Sequence, residues 1–248
     1  MKKIINCLIF LYLLPLRISN RLSLYIKGKI LLYEEHYVIA IDVIRRYFPN
    51  DRGVIIDIGA YDGDSATFFG KRLPNNLIIG FEPNRDLYKA GVERVKNYPN
   101  IQLHNVGLAD FSGEADLHIT KNIASSSLLP INEKAEHVEV VQDRIIKVAV
   151  DTLDSFFKEC QDVLLIKLDV QGAELKVLKG GTETLKRTKL VLTEVSVVEM
   201  YQGGCLYFEL DAFLRGNGFL MHTSISNYNH EGTKYHDILY LNSKFRNS

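Results

Sequence analysis

From residue 54 onward, short and fully apolar runs alternate with longer stretches whose apolar positions recur at helical spacing. VIIDIGA leads into a helix predicted from about Ser65, and NLIIGFEP leads into another from about Asn84. IQLHNVGLAD follows, with further strand-like residues in EADLHIT. DVLLIKLDVQG and KLVLTEVS supply two more buried strands, separated by a helix predicted around residues 173–186. Strands apolar on both faces and alternating with helices indicate a parallel sheet covered on both sides, an α/β doubly wound architecture. The end of the chain differs, because GFLMHTSIS and KYHDILYLNS flank the turn-rich Asn227-Tyr228-Asn229-His230-Glu231-Gly232. That pattern predicts an antiparallel hairpin closing the sheet.

Ahead of the first strand, residues 22–48 mix apolar and charged positions at helical spacing and end at the turn cluster Pro49-Asn50-Asp51. They read as a helical lid or entry segment, so that a helical extension (1–49) precedes a single domain (50–248). Lys2-Lys3 and IINCLIFLYLLPL resemble the start of a signal peptide, but Asn6 and Pro15 interrupt the apolar run and no small-residue cleavage site follows. Residues 1–20 are therefore expected to form an apolar helix, either packed on the domain or lying at a membrane surface, in a cytoplasmic protein. Between the two halves of the sheet, the polar tract from Ser125-Ser126-Ser127 to His137 reads as a substrate-facing flap. VEVVQ and IIKVAVDTLDSFF then return the chain to strand and helix.

Composition narrows the function classes. A chain of 248 residues with 46% hydrophobic positions can bury one substantial core. Thirty basic side chains balance thirty acidic ones, so no global field would gather nucleic acid, and the expected partner is a small molecule or glycan. Cys7, Cys160 and Cys205 are odd in number and widely spaced, as expected of reduced thiols.

The densest chemistry lies in VIIDIGAYDGD. In a doubly wound sheet the first strand-to-helix turn floors the ligand crevice. Gly59 and Gly63 remove side chains there, while Asp57, Asp62 and Asp64 surround the turn with carboxylates. A pyrophosphate would be repelled by such a turn, whereas a cationic ligand would be welcome. The spacing is also not GxGxxG, which weakens a nicotinamide reading. Glu82 ends the second strand, nineteen positions after Gly63, where a carboxylate can accept from both hydroxyls of a ribose. S-adenosylmethionine joins an adenosine to an ammonium and a sulfonium, and so accounts for Glu82 and the acidic turn together.

VIIDIGAYDGD, FEPN, VAVDTLDSF, IKLDVQGAELKVLKG and LTEVS together resemble the motif series of the FkbM-type methyltransferases, over roughly residues 50–220. The resemblance implies a class I, Rossmann-like methyltransferase domain with a seven-stranded sheet whose last strand is antiparallel, consistent with the hairpin at the end of the chain. It also implies S-adenosylmethionine as methyl donor, and O-methylation of a hydroxyl on a sugar or related metabolite.

On this reading Asp57, Gly59, Tyr61 and Gly63 face the donor's amino-acid end. Glu82 and Pro83 flank its ribose, and Asn105 and Gly107 form an adenine wall, although Asn105 could equally hold its own turn. An alcohol acceptor must lose a proton, and Asp169, Glu174 and Glu194 are the acids placed to take it, Asp169 foremost. Asp169 could instead cap a helix, and Glu174 could simply complement a helix dipole. Lys167, on the same strand face as Asp169, is a candidate counter-ion. Tyr201 and Gln202-Gly203-Gly204 are candidates for the acceptor pocket. His104, His118, His137, His222, His230 and His236 are scattered without a metal-binding spacing, so no metal is implied. Rival readings are N-methylation or nucleic-acid methylation on the same fold, a non-catalytic adenosyl-binding module, and a dehydrogenase.

Overall fold

The computed structural model describes residues 35–134, 140–158, 162–225 and 235–246. The expectations for residues 1–20, for Cys7 and Cys160, and for the turn at 227–232 lie outside the described residues. In chain order the elements are α1 (Glu35–Tyr47), β1 (Val54–Ile58), α2 (Asp64–Arg72), β2 (Ile78–Phe81), α3 (Arg85–Val95), β3 (Ile101–His104), β4 (Gly107–Ala109) and β5 (Gly113–Thr120). They continue as β6 (Gln142–Thr152), α4 (Leu153–Phe156), β7 (Val163–Leu168), α5 (Glu174–Lys179), α6 (Thr182–Leu185), β8 (Thr188–Ser196), α7 (Tyr207–Gly216), β9 (Phe219–Ile225) and β10 (Tyr235–Asn242).

Seven strands form one sheet in the order β3-β2-β1-β7-β8-β10-β9. The first five are parallel, and β10 runs antiparallel to both β8 and β9. This is the expected Rossmann-like architecture, with the terminal hairpin inserted into its edge. The apolar strands divide their side chains between two cores. Ile56, Ile58, Phe81, Ile166, Leu168 and Val191 pack with Val177 and Leu178 of α5 and with Leu210 and Leu214 of α7. Ile55, Ile78, Leu165, Leu190, Leu192 and Leu239 meet Ala40, Ile41 and Ile44 of α1 and Phe69 of α2 on the opposite face. Each such buried side chain contributes about 1.5–3 kcal/mol relative to exposure. The described part of the N-terminal extension is thus a packed helix of the main core, not a separate lid. Among the described residues no helix is long and apolar enough to cross a membrane.

Towards the carboxyl ends of the strands this second face turns polar. Two positions beyond Ile55, Leu165 and Leu192 stand Asp57, Lys167 and Glu194, and Asp237 precedes Leu239 by two on the antiparallel β10. Register sets Asp57 beside Lys167 and Asp237 beside Glu194. The sequence pattern gives the strand periodicity, but only this pairing turns isolated acids into a continuous polar row.

Two departures from expectation have physical causes. Strands β4, β5 and β6 do not join the main sheet but form a second, three-stranded one ordered β4-β6-β5, with its own core of Ala109, Leu117, Ile119, Val148 and Val150. Of VEVVQ, the described Val140 and Val141 lie ahead of β6, which starts at Gln142. The helix expected around residues 173–186 breaks into α5 and α6 at Gly180, because β4 passes so close that a Cβ there would lie 2.1 Å from the Ala109 carbonyl oxygen.

Candidate active site

The turn after β1 is shaped by close approach. A Cβ on Gly59 would stand 1.9 Å from the Asp169 carbonyl oxygen, and its φ of +76° also favours glycine. The turn passes through left-handed Tyr61 (φ 53°) to Gly63, the N-cap of α2 at φ +80°. Tyr61 N donates to Glu82 Oε2 at 3.0 Å, and Asn84 N donates to Glu82 Oε1 at 2.8 Å. Asn84 in turn caps α3, accepting from Asp86 N and Leu87 N. The single carboxylate of Glu82 therefore joins the β1 and β2 turns. Burial pushes the Glu82 carboxyl up to about 7 against the opposing pull of those two amides. Asn105 Nδ2 donates to the carbonyls of Glu82 (2.9 Å) and Pro83 (3.0 Å), so Asn105 fixes the loop rather than presenting its amide to a ligand. Gly107 is buried, and a Cβ there would sit 3.4 Å from Pro83 Cβ.

The acids of this turn have cationic partners within the protein, which the sequence did not show. Asp57 has no exposed surface; Ser65 Oγ donates to its Oδ2 at 2.5 Å, and Lys167 Nζ stands 3.1 Å from Oδ1. It braces the turn from below, on the face of the sheet that α1 and α2 cover. Arg94 of α3 pairs with both Asp62 and Asp64. Burial alone would strip the Lys167 proton, yet Asp57, Tyr37 and Asp169 together hold the amine above its ordinary range. Lys167 Nζ also donates to the Gly59 carbonyl at 2.8 Å and lies 3.9 Å from Asp169 Oδ2, so one buried cation ties the donor turn to the neighbouring strand end.

Beyond β7 the carboxylates have fewer partners. The Asp169 side chain is 43% exposed. Gln171 Nε2 donates to Asp169 Oδ1 and to Glu194 Oε2, each at 2.9 Å. Burial, reinforced by Asp169, Glu174 and Asp237, lifts the Glu194 carboxyl well above its usual range. Tyr201 OH lies 3.0 Å from Gln171 Oε1 and 2.7 Å from the Ser125 carbonyl oxygen. Burial and then the charges of Glu194, Glu174 and Asp169 keep this phenol protonated. Leu129 and Ile131 pack with Ala173 and Tyr201, which lays the described part of the expected flap over the β7–α5 loop. Gly172, Gly203 and Gly204 line a hollow of about 400 Å³ beside α5.

Glu174 leaves the set of proton acceptors. It is 3% exposed and its Oε1 accepts from Val170 N (3.1 Å) and Gly172 N (3.2 Å), so it holds the loop. Three participants escaped the sequence reading. Gln171 sat unremarked inside LDVQG. Arg94 lies thirty or more residues from its acids. His36 Nδ1 stands 3.5 Å from Asp237 Oδ2 over the same polar row, and burial followed by the Lys167 charge depresses this imidazole to about 4. A search for histidine pairs could not have found a lone one; only the strand register brings Asp237 beside Glu194.

Residues 57–221 match the family described as "Methyltransferase FkbM domain", about two thirds of the chain. The chain belongs to the FkbM methyltransferase family. Among curated members of similar sequence, "2-O-methyltransferase NoeI" of Sinorhizobium fredii is 32% identical over 160 residues, covering 60% of this chain and 66% of that protein. "Methyltransferase sdnD" of Sordaria araneosa is 26% identical over 231 residues, covering 81% and 87%. "Methyltransferase 1" of Beauveria bassiana is matched over 59% of its length, so the chain spans less than two thirds of two of these three relatives. Among solved structures, the precorrin-6y C5,15-methyltransferase of Geobacter metallireducens superposes with a TM-score of 0.46 at 12% identity, over 86% of this chain and 92% of that one. The cofactor of the FkbM family is S-adenosylmethionine. The residues present fit it: the Glu82 carboxylate at the end of β2, when ionised, is a strong acceptor for hydroxyl donors, and Gly59 and Gly63 leave the turn after β1 without side chains at those positions.

Proposed function

We propose that the protein is an S-adenosylmethionine-dependent O-methyltransferase acting on a hydroxyl of a carbohydrate or related metabolite. The observation that carries this reading is the carboxylate pair Asp169 and Glu194, bridged by one amide, on the same sheet edge as Glu82. The name of the rhizobial relative, a 2-O-methyltransferase, supports a hydroxyl as the acceptor class.

When bound, the donor supplies a methyl group activated on a positively charged sulfur. Glu82 accepts the ribose hydroxyls while its backbone bonds hold both turns in place. Gly59 and Gly63 leave the turn bare, and Asp57 and Lys167 serve the donor only through the turn they support. Asp169, partly exposed at the end of β7, anchors the acceptor. Glu194, whose proton affinity is raised, takes the hydroxyl proton as the oxygen attacks. Alignment and exclusion of water supply most of the remaining acceleration.

The deciding experiment incubates the full chain with donor labelled in its methyl group and a set of methyl glycosides, with single-stranded RNA and amines as controls. Label should appear as a base-stable methyl ether on a glycoside. Label on amine or RNA, or donor retained without transfer, would sink the proposal.

A further inference from the structure

Gln171 has a backbone φ of 55°, in the left-handed region that residues other than glycine and asparagine seldom adopt. The side chain explains why the strain is tolerated. A primary amide has two N–H groups and one carbonyl oxygen. Here the amide nitrogen serves Asp169 and Glu194, and the carbonyl oxygen faces Tyr201. The backbone carbonyl of Gln171 accepts from Ser127 Oγ at 2.8 Å, so the same residue also holds the segment carrying Ser125 and Ser127. Gln171 is only partly buried, and core packing does not account for these bonds.

Two carboxylates converging on one nitrogen would ordinarily demand a proton or a metal ion between them. An amide instead satisfies one oxygen of each without adding charge. We propose that Gln171 is the positioning residue of the acceptor site: its amide clamps Asp169 and Glu194 into a single proton-accepting unit and ties that unit to the covering segment through Tyr201 and Ser127. The proposal deepens the methyl-transfer reading and rests on it for the role of the pair. The other groups facing the pair are Lys167, Asp57, Glu174 and Asp237 from the strands and α5, Tyr201 from the loop before α7, and His36 and Tyr37 from α1. Of these, Lys167 stands 3.9 Å from Asp169 Oδ2, beyond hydrogen-bond reach. Donation by the amide favours the ionised carboxylates, so its loss lets the pair hold a proton to higher pH.

The test uses full-length Gln171→Gly, which suits the left-handed backbone and deletes the clamp, and Gln171→Leu, which keeps the bulk. Carboxyl titration is followed by ¹³C NMR on the donor-free protein, alongside thermal midpoint, calorimetry with S-adenosylhomocysteine, and turnover with labelled donor. Both variants should keep product affinity within about threefold and raise the carboxyl titration by about half a pH unit or more. Turnover should fall about tenfold or more, and the acid limb of kcat/KM should move up with the carboxyls. A folded variant with unchanged titration and pH profile overturns the clamp. If the titration moves but neither variant nor the parent methylates any hydroxyl, the clamp stands and the methyl-transfer reading falls.

Discussion

Around β1 the aspartates are paired with cations, Lys167 with Asp57 and Arg94 with both Asp62 and Asp64, and Glu82 has two backbone amides. Around β7 and β8, a few ångströms along the same edge, Asp169 and Glu194 share one neutral amide, with Asp237 on the adjacent strand. The first region is electrostatically closed, as suits a turn that must hold its shape before any ligand arrives. The second keeps an excess of carboxylate, which raises proton affinity and leaves the chemistry to be completed by what binds. Lys167 couples the two, being committed to Asp57 and Gly59 and only 3.9 Å from Asp169.

The largest expected effect breaks the open region. Glu194→Gln and Asp169→Asn should each lower turnover by about 10²–10⁴-fold while binding of S-adenosylhomocysteine changes by less than about threefold. Steady-state kinetics and calorimetry on the same preparations separate the two quantities, and equal losses in both would erase the distinction between the regions. On the closed side, Lys167→Met should destabilise the fold by about 3–5 kcal/mol, because it strands Asp57 as a buried unpaired charge. Chemical denaturation measures that cost, and adding Asp57→Asn to the same chain should recover much of it.

Glu82→Ala should weaken donor binding about 100-fold, since charge-assisted hydrogen bonds contribute about 1.5–3 kcal/mol each. Its proton affinity gives a subtler check. Ribose hydroxyls favour the ionised carboxylate, so with a carboxyl near 7 donor binding should release a proton below that pH and tighten as pH rises towards it, levelling off above. The same raised value means that ionising Glu82 costs the empty protein stability as pH climbs from about 4.5 to 7, with no further change above. Calorimetry in buffers of different ionisation enthalpy reads the proton count. The smallest effect comes from Arg94→Ala, which exposes the turn's outer acids: stability should fall by no more than about 1 kcal/mol. Donor affinity should barely move, whereas a marked tightening would show that Asp62 and Asp64 do reach for a cation.

What proved legible in the sequence was local. VIIDIGAYDGD spelled a buried strand entering a glycine turn, FEPN placed a carboxylate at the next strand end, and a helix was expected from about Asn84, the residue that caps α3. The alternation of apolar runs with helices gave the main sheet, and the end of the chain gave its antiparallel hairpin. The sequence showed the acids of the turn but not their partners, because charge pairing is not a local property. Arg94 reaches back from another helix and Lys167 from a strand more than a hundred residues away.

By itself, then, the sequence determined which segments are buried, how they alternate, and which polar residues fall at strand ends, because burial and backbone preference are written in short periodic patterns. Tertiary structure alone decided that Asp57 braces the turn while Asp169 faces outward, that Gln171 joins Asp169 to Glu194 and Tyr201, and that His36 and Asp237 meet over the same row. Those pairings follow from strand register and helix docking, which bring distant side chains within hydrogen-bond reach without leaving a mark on the spacing of either partner.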